Sequence, residues 1–228
     1  MPRKTLADWL AWQESLNPDE IDLGLDRVRA VAARLPLAPP PDRVFVVAGT
    51  NGKGSCVAAL EAVLLAVGKR PGVYTSPHLV HYNERVRVAG RAADDADLVD
   101  AFEQIEAVRG DVRLTFFEYG TLAALLLFSR ADCDAWVLEV GLGGRLDAVN
   151  IIDGDFCAVT SVALDHTEWL GDSVAAIARE KAGIYRPSRP VWFGSSPVPE
   201  SLRQYAEQLG CTLLTPDHGY GLQAGEQT

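Results

Sequence analysis

A glycine-rich segment at residues 49–55, Gly-Thr-Asn-Gly-Lys-Gly-Ser, carries the strongest chemical signal in this 228-residue sequence. An apolar run at residues 44–48 precedes it, and apolar residues at helical spacing follow it, which predicts a strand, a turn and a helix. Such a turn directs backbone N–H groups and a helix N-terminus at a phosphate. Lys53 would then add a positive charge for the terminal phosphates, and Ser55 would lie near a bound Mg²⁺.

The segment departs from the common phosphate-binding pattern G-x-x-x-x-G-K-[ST]. Val47 occupies the position of the first glycine, and Gly54 separates Lys53 from Ser55. A glycine-rich turn without any ligand is the alternative interpretation. We favour a phosphate site, because a lysine between two glycines is a poor choice for a turn with a purely structural role.

Glu139 interrupts an otherwise apolar predicted strand close to its carboxyl end. A buried carboxylate is costly unless a cation or hydrogen bonds compensate it. NTPases place the carboxylate that binds Mg²⁺ at this point of the fold. The alternative is a core glutamate paired with an arginine.

Ser76, His166 and Lys181 each allow a structural and a functional interpretation. Ser76 precedes Pro77 and could cap a turn or supply a hydroxyl to a hard metal ion. His166 would favour a structural role by itself, but beside a phosphate loop and Glu139 a metal role is the better interpretation. Lys181 alone indicates a solvated lysine, whereas burial near a metal would favour its neutral, reactive amine.

Strands and helices alternate along the chain, which predicts an α/β fold with a mainly parallel sheet and helices on both faces. The predicted strands cover residues 44–48, 70–74, 83–88 (a loop entering an edge strand), 135–140, 157–162, 190–193 and 212–214. The predicted helices cover residues 5–16, 24–35, 58–67, 94–108, 115–129, 173–183 and 201–209. Since ligands bind at the carboxyl ends of such strands, the loops at 49–55, 75–79, 139–147 and 164–167 should converge.

Composition restricts the partners and the location of the protein. A net charge of −10 argues against general binding to nucleic acid or to anionic membranes. No CxxC pair occurs, and Cys56, Cys133 and Cys157 adjoin apolar runs, so we expect buried, reduced thiols rather than a zinc or redox motif. Since neither a signal-peptide pattern nor an apolar run of membrane-spanning length is found, we expect a cytoplasmic protein.

Five segments resemble, in order, the Mur ligase superfamily and, within it, the folylpolyglutamate synthase family in its bacterial bifunctional dihydrofolate synthase form. They are residues 48–55, 74–79, 139–147, 164–167 and 179–183. The variant phosphate loop is that family's own form, and the resemblance covers essentially the whole chain. It implies a P-loop NTPase-like fold of the Mur ligase central-domain type, as one ATP-binding domain over residues 1–228.

The resemblance also implies roles for individual residues. The ATP phosphates would contact Gly49, Thr50, Asn51, Gly52, Lys53, Gly54 and Ser55. The Mg²⁺ ligands would be Ser76, Glu139, His166, Ser55 and Lys181 (as a carbamate), and the catalytic residues would be Lys53, His166 and Lys181. The pterin site would comprise Leu23, Gly24, Leu25, Asp26, Thr115, Phe116, Phe117, Glu118, Leu146, Asp147 and Ala148. An aromatic ring such as that of Phe117 can stack on a flat pterin, although a core aromatic residue is an equally good interpretation.

The activity implied by the resemblance is ATP-dependent amide ligation, with ATP and Mg²⁺ as cofactors. The carboxylate of 7,8-dihydropteroate would attack the γ-phosphate of ATP, and the amino group of L-glutamate would then displace phosphate from the acyl phosphate. Folylglutamates would be extended in the same way. Because the reacting groups are anionic, Mg²⁺, Lys53 and backbone dipoles would stabilise the transition state. We expect small-molecule partners only, without nucleic acid or membrane, and a monomer.

Members of that family are considerably longer and have a second α/β domain that helps to bind glutamate and ATP. We therefore expect the present chain to be incomplete at its C-terminal end, where it becomes glycine-rich and polar from Asp217, and to be inactive alone. Another Mur-type amino-acid ligase is one alternative, disfavoured by the pterin-like segments 23–26 and 115–118. A non-catalytic ATP-binding module is a second. A regulatory GTPase is the weakest, because the sequence lacks an N-K-x-D motif.

Overall fold

Strand β1 (Val44–Ala48) lies in the interior of the sheet, as an uninterrupted apolar strand covered on both faces should. The structure, a computed structural model, describes residues 4–16, 21–216 and 218. The other strands are β2 (Pro71–Tyr74), β3 (Val86–Val88), β4 (Arg91–Ala92), β5 (Ala135–Glu139), β6 (Phe156–Val159), β7 (Pro190–Phe193) and β8 (Thr212–Leu214). Their order is β4-β3-β2-β5-β1-β6-β7-β8. The six strands from β2 to β8 in that order are parallel, and β3 and β4 form an antiparallel extension.

Helices cover both faces of this sheet, which confirms the predicted fold class. They are α1 (Leu6–Leu16), α2 (Asp26–Ala32), α3 (Lys53–Ala66), α4 (Asp95–Arg109), α5 (Phe116–Arg130), α6 (Thr167–Leu170), α7 (Val174–Ala182) and α8 (Glu200–Gln208). A small apolar cluster lies under α3, with Val57 and Leu64 against Val47, Val73 and Val137 of the sheet. The larger cluster joins α1, α2, α4 and α5 to the other side of the sheet.

The start of α5 forms the capping box that its sequence predicts. The Thr115 hydroxyl accepts a hydrogen bond from the Glu118 N–H at 3.2 Å, and the Glu118 Oε2 accepts one from the Thr115 N–H at 2.7 Å. This reciprocal pair fixes where the chain enters the helix. Since most of α5 is buried, the position of its first turn is fixed by the core as well.

Two predicted details were wrong, and three short elements were not predicted. The strand predicted at 83–88 is not at the edge, because β4 pairs with β3 through the tight turn at Ala89 and Gly90 and becomes the edge strand. Strand β6 ends at Val159 instead of residue 162, because the following residues bond to the glycine-rich loop. Helix α6 and the 3₁₀ turns Tyr82–Arg85 and Ala148–Ile151 were not predicted. The polar segment expected from Asp217 onwards lies outside the described residues, apart from His218.

Candidate active site at the carboxyl edge of the sheet

The glycine-rich loop after β1 packs closely against the loop that follows β6. Gly49 has a φ of +151°, and a Cβ at this position would lie 1.8 Å from the Thr160 Oγ1. The Thr50 N–H donates to the Ser161 carbonyl at 2.9 Å, and the Thr160 hydroxyl donates to the Asn51 carbonyl at 2.7 Å. The loop after β6 therefore fixes the shape of the glycine-rich loop. Gly49 is required because a side chain at this position would prevent the close approach of the two loops.

Helix α3 begins at Lys53, directly after Gly52, whose φ is +86°. The first N–H groups of a helix have no intrahelical acceptor, so this turn presents donors and a partial positive charge to an anion. The Lys53 ammonium lies over the same turn and donates to the Gly49 carbonyl at 3.0 Å. The structure thus brings together the loop, the helix terminus and the lysine of the predicted phosphate site.

Glu139 ends β5 beside this turn, with 4% of its surface exposed. Its Oε2 accepts a hydrogen bond from the Ser76 N–H at 3.3 Å. Burial raises the pKa of Glu139, while the Ser76 N–H and the charges of Lys53 and Arg87 lower it. The arginine-paired core glutamate considered from sequence is not observed, since among the described residues Glu139 has no ion pair within 4.0 Å.

A cleft of about 680 Å³ opens between the phosphate loop and the loop after β2. Its walls include Thr50, Asn51, Gly52, Lys53, Gly54, Ser76, Pro77 and Glu139. We call it the nucleotide cleft. Of the seven residues predicted to contact the ATP phosphates, two do not line it: Gly49 is turned against Thr160, and Ser55 lies on the exposed side of the first turn of α3. The predicted metal ligands His166 and Lys181 also lie outside its wall.

A second cleft of about 770 Å³ lies on the other side of Ser76 and Pro77, which line both cavities. It contains nine of the eleven predicted pterin-site residues: Leu23, Gly24, Thr115, Phe116, Phe117, Glu118, Leu146, Asp147 and Ala148. We call it the substrate cleft. Leu25 and Asp26 do not line it, because the chain turns away there into α2, whose first residue is Asp26.

Lys181 and His166 differ strongly in exposure. Lys181 is 4% exposed, so it is not a solvated lysine, and burial together with the nearby Lys53 charge lowers its pKa to about 8. His166 precedes α6 with a φ of 48°, and its side chain, half exposed, lines the substrate cleft next to Asp165. The structure thus places His166 in the wall of the substrate cleft and not in that of the nucleotide cleft.

Asp147 has a structural role in addition to its place in the substrate cleft. Its carboxylate accepts hydrogen bonds from the Leu142 N–H at 2.9 Å and from the Val149 N–H at 3.0 Å. Complete burial raises its pKa to about 7, against the effect of these donors. Asp147 therefore holds the glycine-rich loop 141–144 to the 3₁₀ turn that follows it.

A partly buried ion pair in the nucleotide cleft was not predicted from the sequence. Arg87 on β3 donates to both carboxylate oxygens of Glu61 on α3, with the shortest contact at 2.7 Å, and its Nη1 reaches the Thr75 hydroxyl at 3.1 Å. A local signal existed, since Arg87 is a charged residue inside a predicted strand, but its partner lies 26 positions away.

Two further residues of the substrate cleft were missed as well. The Arg85 guanidinium lies 5.4 Å from the centroid of the Phe116 ring, and its Nε donates to His78 Nδ1 at 2.9 Å. Gln13 enters the cleft wall from α1, a helix to which the sequence assigned no function.

The polar groups suit a magnesium ion that is shared with a nucleotide. Among residues 4–16, 21–216 and 218, no three His, Cys, Asp or Glu side chains cluster as a metal site. Mg²⁺ commonly binds one or two carboxylates, waters and substrate phosphates rather than a complete protein cage. Glu139 with the nearby Ser76 meets that smaller requirement.

The comparisons with known proteins give one consistent result. The chain is 52% identical over 208 residues to the dihydrofolate synthase/folylpolyglutamate synthase of Escherichia coli (strain K12), an alignment that covers 91% of this chain and 49% of that protein. The structure of E. coli FolC in complex with DHPP and ADP matches with a TM-score of 0.91 at 51% identity, over 94% of this chain and 52% of the other.

A bifunctional folylpolyglutamate synthase/dihydrofolate synthase with Mn, AMPPNP and L-glutamate bound matches with a TM-score of 0.87 at 52% identity, over 93% of this chain and 52% of the other. No protein-family profile matches the sequence. The chain spans about half the length of the curated relatives it matches.

Proposed function

This chain belongs to the dihydrofolate synthase/folylpolyglutamate synthase family, and from that premise we propose that it carries the ATP-binding and pterin-binding part of a glutamate ligase. The reaction is the ATP-dependent addition of L-glutamate to 7,8-dihydropteroate and to folylglutamates. Residues 1–228 form its ATP-binding domain. The similar structures are complexed with ADP, or with AMPPNP, Mn and L-glutamate, which supports ATP and a divalent ion as its cofactors.

One observation carries this proposal. The nucleotide cleft and the substrate cleft meet at Ser76 and Pro77, which belong to the walls of both. A carboxylate at the inner end of the substrate cleft would therefore face the terminal phosphate of a nucleotide on the α3 N-terminus. Phosphoryl transfer to a carboxylate requires that juxtaposition.

The proposed roles of the residues are binding of the phosphates and binding of the metal ion. The first turn of α3 and Lys53 bind and neutralise the phosphates, with no proton transfer required of them. Glu139 and Ser76, which line the nucleotide cleft, would hold Mg²⁺. His166, Ser55 and a carbamylated Lys181 are the further ligands that the resemblance implies, and they lie outside the wall of that cleft. The metal ion would act as a Lewis acid on the transferred phosphoryl group.

Lys181 has the properties that carbamylation needs. The reaction with CO₂ requires the neutral amine, and a pKa near 8 makes an appreciable fraction neutral at physiological pH. The carbamate formed would be an anion, and it would pair with the nearby Lys53 ammonium instead of being repelled by it. Burial of the side chain would protect the carbamate from water.

The substrate cleft supports a flat heterocyclic acid as ligand. Phe116 and Phe117 are each partly exposed at the start of α5, available for stacking, and polar groups of Glu118 and Asp147 lie among them. Segments 23–24 and 115–118, which the family resemblance assigns to a pterin, lie in the wall of this cleft and support a pterin over a muramyl peptide.

A cytoplasmic, monomeric protein completes the proposal. All four cysteines are free, which suits a reducing compartment. Among the described residues no helix has the length and apolar character needed to cross a bilayer.

Calorimetry with a ligand panel tests the function. We expect the chain to bind Mg-ATP and dihydropteroate and not to bind a muramyl peptide. Binding of ATP without any pterin would favour the non-catalytic module, and binding of the muramyl peptide would favour another Mur-type ligase. Glutamate incorporation by the 228-residue chain alone would show that no further domain is needed for turnover.

A further inference from the structure

Gln13 is a buried polar residue without a partner. Its exposed surface is 1%, and neither atom of its side-chain amide has a hydrogen-bond partner among the described residues. An amide offers two N–H donors and an acceptor, and burying them unpaired is unfavourable because they lose their hydration. An apolar residue of the same size would avoid this cost, so we expect the amide to have a function.

The position of Gln13 indicates what that function is. The residue lines the substrate cleft from α1. Its chain neighbour Trp12 packs edge-on against Tyr119 of α5, with ring centroids 6.0 Å apart, and Tyr119 follows Glu118 directly. Gln13 and Glu118 therefore reach the same cleft from two adjacent helices.

One carboxylate oxygen of Glu118 accepts no hydrogen bond at this place. Its Oε2 accepts from the Thr115 N–H, whereas its Oε1 is buried without a hydrogen bond. The Arg27 Nη2 lies 3.3 Å from that Oε1 as an ion-pair partner without a hydrogen bond to it, and the Arg27 Nε donates to Oε2 at 3.5 Å. Three of the six buried polar side-chain atoms without a hydrogen bond in the described residues thus belong to Gln13 and Glu118.

We propose that Gln13 is a substrate-binding residue that, together with Glu118 Oε1, recognises the polar edge of a flat heterocycle in the substrate cleft. This inference rests on the proposed function, which supplies a pterin as the ligand. The pterin edge presents adjacent N–H donors and a carbonyl acceptor. A carboxylate oxygen can accept from such donors, and the Gln13 amide can both donate to the carbonyl and accept from an amino group. Gln13 thus binds the ring system and not the reacting carboxylate.

Replacement of the amide by an apolar side chain separates this role from a structural one. Gln13→Leu removes the hydrogen-bonding atoms at nearly constant volume, and Gln13→Met is a second variant with an unbranched side chain. Gln104→Leu is the matched control, because Gln104 lies on α4 outside both clefts and bonds to Asp100 at 2.8 Å. The affinities of each full chain for dihydropteroate and for Mg-ATP are measured by calorimetry, and the melting temperature by calorimetric scan.

We expect about tenfold weaker dihydropteroate binding for both Gln13 variants, the loss of one or two hydrogen bonds to the ligand. Their Mg-ATP affinity should stay at the wild-type value, and their melting temperature should not fall, because no intramolecular hydrogen bond is lost. Unchanged dihydropteroate affinity, or an equal loss for both ligands, would overturn the inference. Absence of dihydropteroate binding in the wild-type chain would instead reject the proposed function, and this inference with it.

Discussion

The main-chain N–H of Ser76 donates a hydrogen bond to the Glu139 carboxylate, 3.3 Å from its Oε2, and joins the end of β2 to the end of β5. The two strands are neighbours in the sheet, so the contact lies where the walls of the two clefts meet. Glu139 therefore has two tasks in our account: one oxygen holds the Ser76 loop, and the carboxylate as a whole attracts the metal ion.

Glu139→Gln tests whether the carboxylate attracts the metal ion. The amide keeps an oxygen for the Ser76 N–H but loses the charge, so Mg-ATP should bind at least about tenfold more weakly, as for the loss of a metal-site group. ATP without Mg²⁺ should bind as in the wild type or slightly better. Calorimetry with and without Mg²⁺ measures both, with Glu207→Gln on the exposed side of α8 as the control. Equal Mg²⁺ dependence in both variants would contradict a metal role.

Gly49→Ala should destabilise the phosphate loop. The added Cβ would meet the Thr160 Oγ1 at 1.8 Å in a backbone conformation that favours glycine. We expect the free energy of unfolding to fall by about 3 kcal/mol, at the upper end for overpacking, with ATP affinity reduced as well. Urea denaturation measures the first quantity.

Gly54→Ala is the matched control for that change, since a Cβ there meets no atom within 4 Å. Its free energy of unfolding should stay within about 0.5 kcal/mol of the wild type. The double variant Gly49→Ala/Thr160→Ala should recover part of the loss, because the closest clashing atom is gone. Equal stability of the two single variants would show that Thr160 does not constrain the loop.

The burial of the Lys181 amine predicts how the stability of the chain without a carbamate depends on pH. Burial holds its folded-state pKa at about 8, below the ordinary 10.5, so between these values the unfolded state binds more protons and stability rises with pH. Below about pH 8 both states are protonated, and the cost of the buried charge is fully present. Lys181→Met should therefore stabilise the chain at pH 7, on the order of 3 kcal/mol.

That stabilisation should fade as the pH rises from about 8 to 10.5. Urea denaturation at pH 7 and pH 10 in CO₂-free buffer measures the difference. Lys69→Met, a change outside the site, serves as the control and should show no such trend. A stabilisation by Lys181→Met that is the same at both pH values would refute a desolvated amine.

The ion pair between Arg27 and Glu118 predicts that loss of the arginine alone destabilises the chain more than loss of both charges. Glu118 is 3% exposed, and burial raises its pKa although Arg27 lies close to it. Arg27→Leu leaves that carboxylate buried without its cation and should destabilise the chain by about 3 kcal/mol. Arg27→Leu/Glu118→Gln should recover much of the loss, because the uncompensated charge is gone. Additive effects of the two substitutions in chemical denaturation would speak against the coupling.

The sequence predicted the parts of the fold that depend on local patterns. The apolar run of β1, the glycine-rich turn and the capping box at Thr115 each have a short-range cause, and the structure confirms all three. The strand order could not be predicted in this way, because β1 pairs with β5 and β6, which lie far along the chain.

The candidate site could be predicted as a set of segments and less well as single side chains. Glycine-rich turns and polar residues after strands indicated the nucleotide cleft, whereas the segments of the substrate cleft at 23–26, 115–118 and 146–148 were implied by the family resemblance. The orientation of Ser55 and His166 depends on φ angles and helix phase that the pattern leaves open. The role of Gln13 could not be predicted for another reason. A glutamine on an amphipathic helix gives no sign that it is buried, and its lack of a partner is known only when its neighbours are placed.

The central claim is that one chain holds a nucleotide and a pterin acid at the same time, on either side of Ser76 and Pro77. Calorimetric titration of dihydropteroate into the chain saturated with Mg and a non-hydrolysable ATP analogue tests it most directly. We predict one dihydropteroate per chain, with an affinity at least equal to that measured without the nucleotide. Competition between the two ligands, or no dihydropteroate binding in either state, would contradict the account.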